Sequence, residues 1–447
     1  MNPTPLPSVI SPTESALSAS EPASATAPAS AAPASAAAPA RAGRFARLPQ
    51  LAGRGFIPLG LFARVPLAML TVGALTLVTS ATGSYAVGGM AAGAVGIGAA
   101  FGAPVFGALA DRHGQRPVLL VAAVLNALAV VALISTAWIP ADGSFPAALA
   151  GAAFLVGATC PQVGPLARVR WMALVSRQGG KDAGRDLDTA LSYEGTADEL
   201  TFVLGPALVG ILASMVAPWL PLALAVVMTL TLVPAFALHP THKAVPLKRT
   251  AGAKAARIPA AVALPALAMV AMGTFFGSTQ TALSSFSASF ASSEVAGLLY
   301  SVMGVSSAAA ALSVAYWSRR FKPVSRWMVS AAAMSGLALL LAVPDSLGGM
   351  IGVLLVLGLP VGPVMVTVFT IGGIVAPAER LGTVMTALAS GIVAGTALGA
   401  FLAGQLAQAD GYQAAFVVPV VAAGALFVLG LAAAVLLRNR ARRGADA

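Results

Sequence analysis

From about residue 59 the chain is a succession of long apolar runs separated by short polar breaks. Twelve of these runs reach the roughly 20 residues that a helix needs to cross a hydrocarbon core of about 30 Å. Their limits fall near 59–80, 86–109, 117–139, 146–167, 188–213 and 217–238, then 259–284, 295–317, 325–343, 347–375, 380–407 and 412–437. The pattern predicts an all-α integral membrane protein with twelve transmembrane helices.

The breaks alternate in sign, and Lys and Arg near span ends are held on the cytoplasmic side of a membrane. Arg41, Arg44, Arg47, Arg54 and Arg64 stand before or at the start of span 1, Arg112 and Arg116 between spans 2 and 3, and five more, from Arg168 to Arg185, between spans 4 and 5. Lys243, Lys248, Arg249, Lys254 and Arg257 join spans 6 and 7. Arg319, Arg320, Lys322 and Arg326 join spans 8 and 9, and Arg380 with Arg438, Arg440, Arg442 and Arg443 completes the set of 26. With twelve spans every one falls on the side of both termini, while the opposite breaks carry Asp142, Glu294, Asp345 and Asp410. Both ends are expected in the cytoplasm of a bacterial plasma membrane.

The chain also repeats itself. Residues 187–213 align without gaps on 381–407, sharing Leu187 with Leu381, Gly205 with Gly399 and Gly210 with Gly404. Pro161 to Pro165 in span 4 recurs as Pro360 to Pro363 in span 10. Two pseudo-symmetric six-helix halves are expected, at 59–238 and 259–437, with a basic linker at 239–258 and a basic tail at 438–447. Such parallel halves are a transporter architecture that holds substrate near the midplane.

Composition narrows the chemistry. Apolar residues make up 58% and charged residues 9%, against roughly 25% charged in a soluble domain, so a water-soluble globule is excluded. One cysteine, Cys160, and three histidines give no disulfide and no cluster of metal-ligand spacing. No metal and no cofactor is expected. The net charge of +11 sits between apolar runs rather than on a solvated face, so no nucleic-acid partner is expected. Residues 1–58, rich in Ala, Pro and Ser over the first 40, read as a disordered cytoplasmic tail rather than a signal peptide.

Between spans 2 and 3 stands GALADRHGQRP, with Gly107, Asp111, Arg112, Gly114 and Arg116. It resembles the loop signature Gly-x-x-x-Asp-Arg-x-Gly-Arg-Arg of the major facilitator superfamily, with Gln115 replacing one Arg. The twelve spans, duplicated halves and basic central loop extend the resemblance over about residues 59–437. The wording is similar to efflux-type permeases of high-GC bacteria, in keeping with five Lys against 21 Arg. The resemblance implies a latch that holds one face shut. Physically, Asp111 can accept hydrogen bonds from the N-terminus of a neighbouring helix, and Arg112 and Arg116 can pair acids across the halves. The equivalent stretch from Ala315 to Arg320 lacks the Asp, so one intact latch is expected. Gly205 and Pro206, followed by Gly210 in span 5, resemble a motif associated with antiporters and predict a bend or tight helix seam. The Arg that many antiporters carry within span 4 is missing from Leu155–Gly164, and Arg168 and Arg170 read as anchors at that span's end.

Span 5 carries Glu194, Asp198 and Glu199. An acid at the centre of a span costs roughly 2.5–3.5 kcal/mol and generally faces a cavity or a partner. The duplicated span places Leu388, Ile392 and Val393 at the same positions, so folding does not require acids there. Desolvation fits such groups to carry a proton or, once ionised, to hold a cation. For all three acids, and for Glu194 above all, two readings stand: the helix begins later and they sit in solvated cytoplasmic structure, or they lie inside the span. Arg64 is a candidate partner for one of the acids, or it snorkels. Further polar residues within apolar runs, as candidates for lining a cavity, are Asn126, Gln162, Thr279, Gln280 and Tyr300.

The expected function is secondary active transport, with proton-coupled export of a small amphipathic or cationic compound. The alternative is an importer or uncoupled facilitator of a sugar or organic solute. An enzyme is not expected, and no Gly-x-x-x-x-Gly-Lys-Ser/Thr stretch is present to bind ATP.

Overall fold

A computed structural model describes residues 43–138, 147–246, 258–290 and 295–445. Most of the expected tail, Arg41, Asp142, Glu294 and most of the basic linker lie outside the described residues. Among the described residues all regular structure is helical, and twelve helices are long and apolar enough to cross a membrane. They are α1 (Phe56–Thr82), α2 (Val87–His113), α3 (Gln115–Ala137), α4 (Ala147–Gln178), α5 (Ala183–Met215) and α6 (Leu220–Leu238). The second set is α7 (Ala260–Phe290), α8 (Ala296–Tyr316), α9 (Pro323–Ala342), α10 (Leu347–Val375), α11 (Ala378–Ala415) and α12 (Val417–Leu436). The chain is a multi-pass membrane protein.

Local chemistry sets the helix ends. Ser84 and Ser346 accept hydrogen bonds from the backbone N–H groups of Val87 and Gly349, capping α2 and α10. Gly114, at φ 92°, is the single residue between His113 of α2 and Gln115 of α3, a turn that a side chain would strain.

Several helices outrun their hydrophobic stretches, because apolar run length measures the hydrocarbon core while a helix continues into the interface. The clearest correction is α4, which extends past the expected limit at 167 to Gln178. Arg168 and Arg170 therefore lie inside the helix and are buried, not anchors in a loop. The repeated prolines also act differently in the two halves. α4 breaks between Ala158 and Val163, where Pro161 removes a backbone donor, whereas α10 runs unbroken through Pro360 and Pro363.

Buried apolar side chains gather separately in the two sets of six. One large cluster belongs to α7–α12, joined by Val169 and Met172 of α4 and by Val245 beyond α6, and two others lie within the first set. A small fourth cluster bridges them through Leu191, Ala311, Val314 and Val366. That bridge belongs to the end bearing the basic breaks, called here the basic end. Close approach across the halves uses glycine: a Cβ on Gly107 of α2 would meet the Thr386 hydroxyl of α11 at 2.0 Å, and one on Gly195 of α5 would meet Val366 of α10 at 2.6 Å.

Candidate functional site

The acids of α5 are held by two arginines from different helices. Arg64 of α1 is buried and reaches both Glu194 Oε2 at 2.7 Å and Asp198 Oδ1 at 2.8 Å. Arg168 of α4 reaches Asp198 Oδ2 at 2.6 Å, and its guanidinium lies 4.0 Å from the ring centre of Phe369 on α10. The indole N–H of Trp171 donates to Glu194 Oε1 at 2.8 Å. Two carboxylates and two guanidiniums thus form one neutral, hydrogen-bonded group, the arrangement in which buried charge is tolerated. Glu194 is 1% exposed, which settles its two readings in favour of the helix interior.

Glu199 stands apart from this group. One turn of the helix separates it from Glu194 and Gly195, and its Oε1 accepts a hydrogen bond of 2.8 Å from the Ser307 hydroxyl of α8, across the two halves. Beside it the Thr196 hydroxyl lies 3.0 Å from the carbonyl oxygen of Ala308. Of the buried acids described, Asp186, Glu194 and Glu199, only Glu199 lacks a basic partner.

Asp111, at the end of α2, accepts from the backbone N–H of Gly382 at 2.8 Å, and from the backbone N–H and hydroxyl of Thr383 at 2.7 and 2.6 Å. These donors open α11, where unpaired N–H groups and the helix dipole favour an anion. Arg112 and Arg116 are exposed and, contrary to expectation, pair with no acid among the described residues. They line, with Asp111, Arg177 and Arg380, a cavity of about 1770 Å³ at the basic end. None of Glu199, Ser307 and Tyr300 borders it.

Gln115, where the loop signature has Arg, is buried. Its Oε1 accepts from Arg170 Nε at 2.7 Å, and its amide donates to the Leu166 carbonyl at 3.3 Å. Arg170 also donates to the Phe236 carbonyl and to Thr241, and stacks 3.9 Å from the Phe236 ring centre. An arginine at 115 would set two guanidiniums together in that pocket, so the departure from the signature is matched to Arg170.

The other expected residues divide. Gly205 forms a tight seam, since a Cβ there would lie 2.5 Å from that of Ala68 on α1, and Pro206 sits within the continuous helix α5. Gly210 faces open space and belongs to no seam. Asn126 donates to the Val156 carbonyl at 2.8 Å and braces α3 against α4, while Gln162 donates to the Cys160 carbonyl at the α4 break. Both are spent on backbone because a buried amide needs partners. Thr279 is fully buried, Gln280 is exposed and Tyr300 is half-buried. Sequence reading missed Arg168, Trp171, Ser307 and Phe369; the signal for Arg168 was charge balance, the three acids Glu194, Asp198 and Glu199 of span 5 against a single arginine in α1.

The family model described as Major Facilitator Superfamily matches residues 57–390 and 265–447. The chain belongs to the major facilitator superfamily. Among solved structures, the human organic anion transporter is similar at 20% identity and TM-score 0.63, over 86% of this chain and 99% of that one. A bacterial homologue of the iron transporter ferroportin, in its outward-facing state, is similar at 15% identity and TM-score 0.65, over 85% and 98%. The E. coli fucose:proton symporter is similar at 15% identity and TM-score 0.57, over 85% and 99%. These likenesses are of fold. No curated protein matches the sequence significantly. Major facilitator proteins with this fold are membrane transporters, so a small-molecule substrate follows for this one.

Proposed function

We propose that the protein is a secondary active transporter that exports a small amphipathic or cationic compound in exchange for protons, by alternating access. The observation that carries this reading is Glu199, a buried carboxylate with no basic partner, on the seam between the halves. The charges of Glu194 and Asp198 are already answered by Arg64 and Arg168, so the exchangeable role narrows from three acids to one. Protonated, Glu199 is neutral and suited to an apolar seam. Ionised, it is a site for a cation, and proton and substrate compete for it.

The positive-inside rule assigns the basic end to the cytoplasm and both termini with it. The contacts of Asp111 with α11 then close the cytoplasmic face, and Glu199 is served from outside. Opening inward breaks the Asp111 bonds and parts Ser307 from Glu199. Gly205 holds α5 against α1, so Glu199 moves with the first half.

The test uses energised everted vesicles, a fluorescent probe of the pH gradient and a panel of organic cations and neutral drugs. Cations that collapse the gradient with wild type and D198N, but not with equally inserted E199Q, support the reading. Equal responses from wild type and E199Q remove Glu199 from the mechanism. Solute movement with no proton movement by any form replaces exchange with uncoupled facilitation.

A further inference from the structure

The contact made by Asp111 has a counterpart across the pseudo-symmetry axis, where the loop from α8 to α9 meets the start of α5. That loop lacks an acid, and the charges are exchanged. Asp182 immediately precedes α5 and Asp186 lies in its first turn, while the facing side chains are basic. Arg319 lies over Gly184 and donates to the Lys181 carbonyl at 3.4 Å, and Arg326 lies 3.6 Å from Asp188.

A third element joins them. Arg44–Arg47 form one turn of 3-10 helix and Leu48–Ala52 a short helix, ahead of α1. Leu48, Ala52 and the following Phe56 are buried in the first half with Trp171, Ala190 and Phe236. Arg47 lies 3.1 Å from Asp186 and 3.4 Å from Asp182. The leading turn grips the second half instead. The Arg44 guanidinium donates to the Ala315 carbonyl and lies 5.0 Å from the ring centre of Tyr316, and the Phe45 and Tyr316 ring centres are 6.0 Å apart. One end of this segment is thus built into a core, and the other holds a corner whose Tyr316 is 59% exposed.

We propose that residues 44–47 are a releasable clasp: they complete the seam that lacks an Asp, hold the basic end shut, and must leave the Ala315–Tyr316 corner before the protein opens on that side. The clasp is anchored in the first half by apolar burial, so it travels with that half and lets go at its polar and aromatic end. It rests on the alternating-access reading but not on the choice of coupling ion.

The test needs no substrate. In the full chain carrying C160A, V366C reports opening of the basic end, since Val366 is 3% exposed in the cluster between the halves. A membrane-impermeant maleimide is applied to the basic face. A disulfide between F45C and Y316C is expected to abolish labelling of V366C, with recovery after reduction. R44A with F45A is expected to raise labelling several-fold. A disulfide between R47C and D186C, which joins the clasp only to its own half, should leave the labelling rate unchanged. Labelling indifferent to the F45C–Y316C bond overturns the clasp. V366C that never labels in any form overturns the opening motion itself, and the two failures are thereby told apart.

Discussion

Helices α5 and α11 align without gaps over 187–213 and 381–407, yet they fill their equivalent positions with different physics. α5 presents Glu194, Asp198 and Glu199, whereas α11 presents Leu388, Ile392 and Val393. In α11 these positions are part of close packing on α7: a Cβ on Gly273 would strike the Ile392 carbonyl at 2.0 Å, and one on Gly395 the Val270 carbonyl at 2.0 Å. In α5 the corresponding surface is given to ion pairs with α1 and α4 and one carboxylate shared with α8. The difference teaches a division of labour: the second half supplies a rigid apolar wall, and the first half carries charge that conformation or pH can act on.

The largest effect should come from breaking the charge balance of the first half. R64A leaves Glu194 buried without a cation, at an expected cost of about 3–5 kcal/mol. Thermal stability of purified protein checks it, and E194Q added to R64A should recover part of the loss. Next is Q115R, which removes the acceptor of Arg170 Nε and adds a like charge, at about 1–3 kcal/mol. Here Q115R with R170Q should be closer to wild type than Q115R alone, measured in the same way. The smallest effect belongs to the apolar wall, where I392V should cost only about 0.5–1.5 kcal/mol and leave transport unchanged. A transport defect in I392V comparable to that of E199Q would erase the distinction between the two helices.

Much of the fold was legible in the sequence because lipid imposes a simple demand. Each crossing needs a run of apolar residues, and the basic breaks then fix how many crossings there are. The repeat of α5 in α11 made the acids stand out against their own internal control. Helix limits were less legible: Arg168 and Arg170 looked like the end of a span because composition cannot show that Asp198, thirty residues on, and Gln115, fifty-five residues back, will meet them. The same ignorance of partners made Asn126 and Gln162 resemble cavity groups, although each is consumed by a nearby carbonyl. Ser307 was hidden among many hydroxyls of α8, and only tertiary structure singles it out.

The pairing of Arg64 with the acids of α5 also sets a schedule for biogenesis. Arg64 emerges from the ribosome 130 residues before Glu194. At a synthesis rate of about 5–20 residues per second that is roughly 7–26 s during which α1 has its cation and no counter-charge. An arginine at that stage is best accommodated at the membrane edge, with its long side chain reaching toward headgroups. α1 is therefore expected to sit shallower in the newly made chain than in the finished protein, and to settle once α5 brings the acids that pair with Arg64.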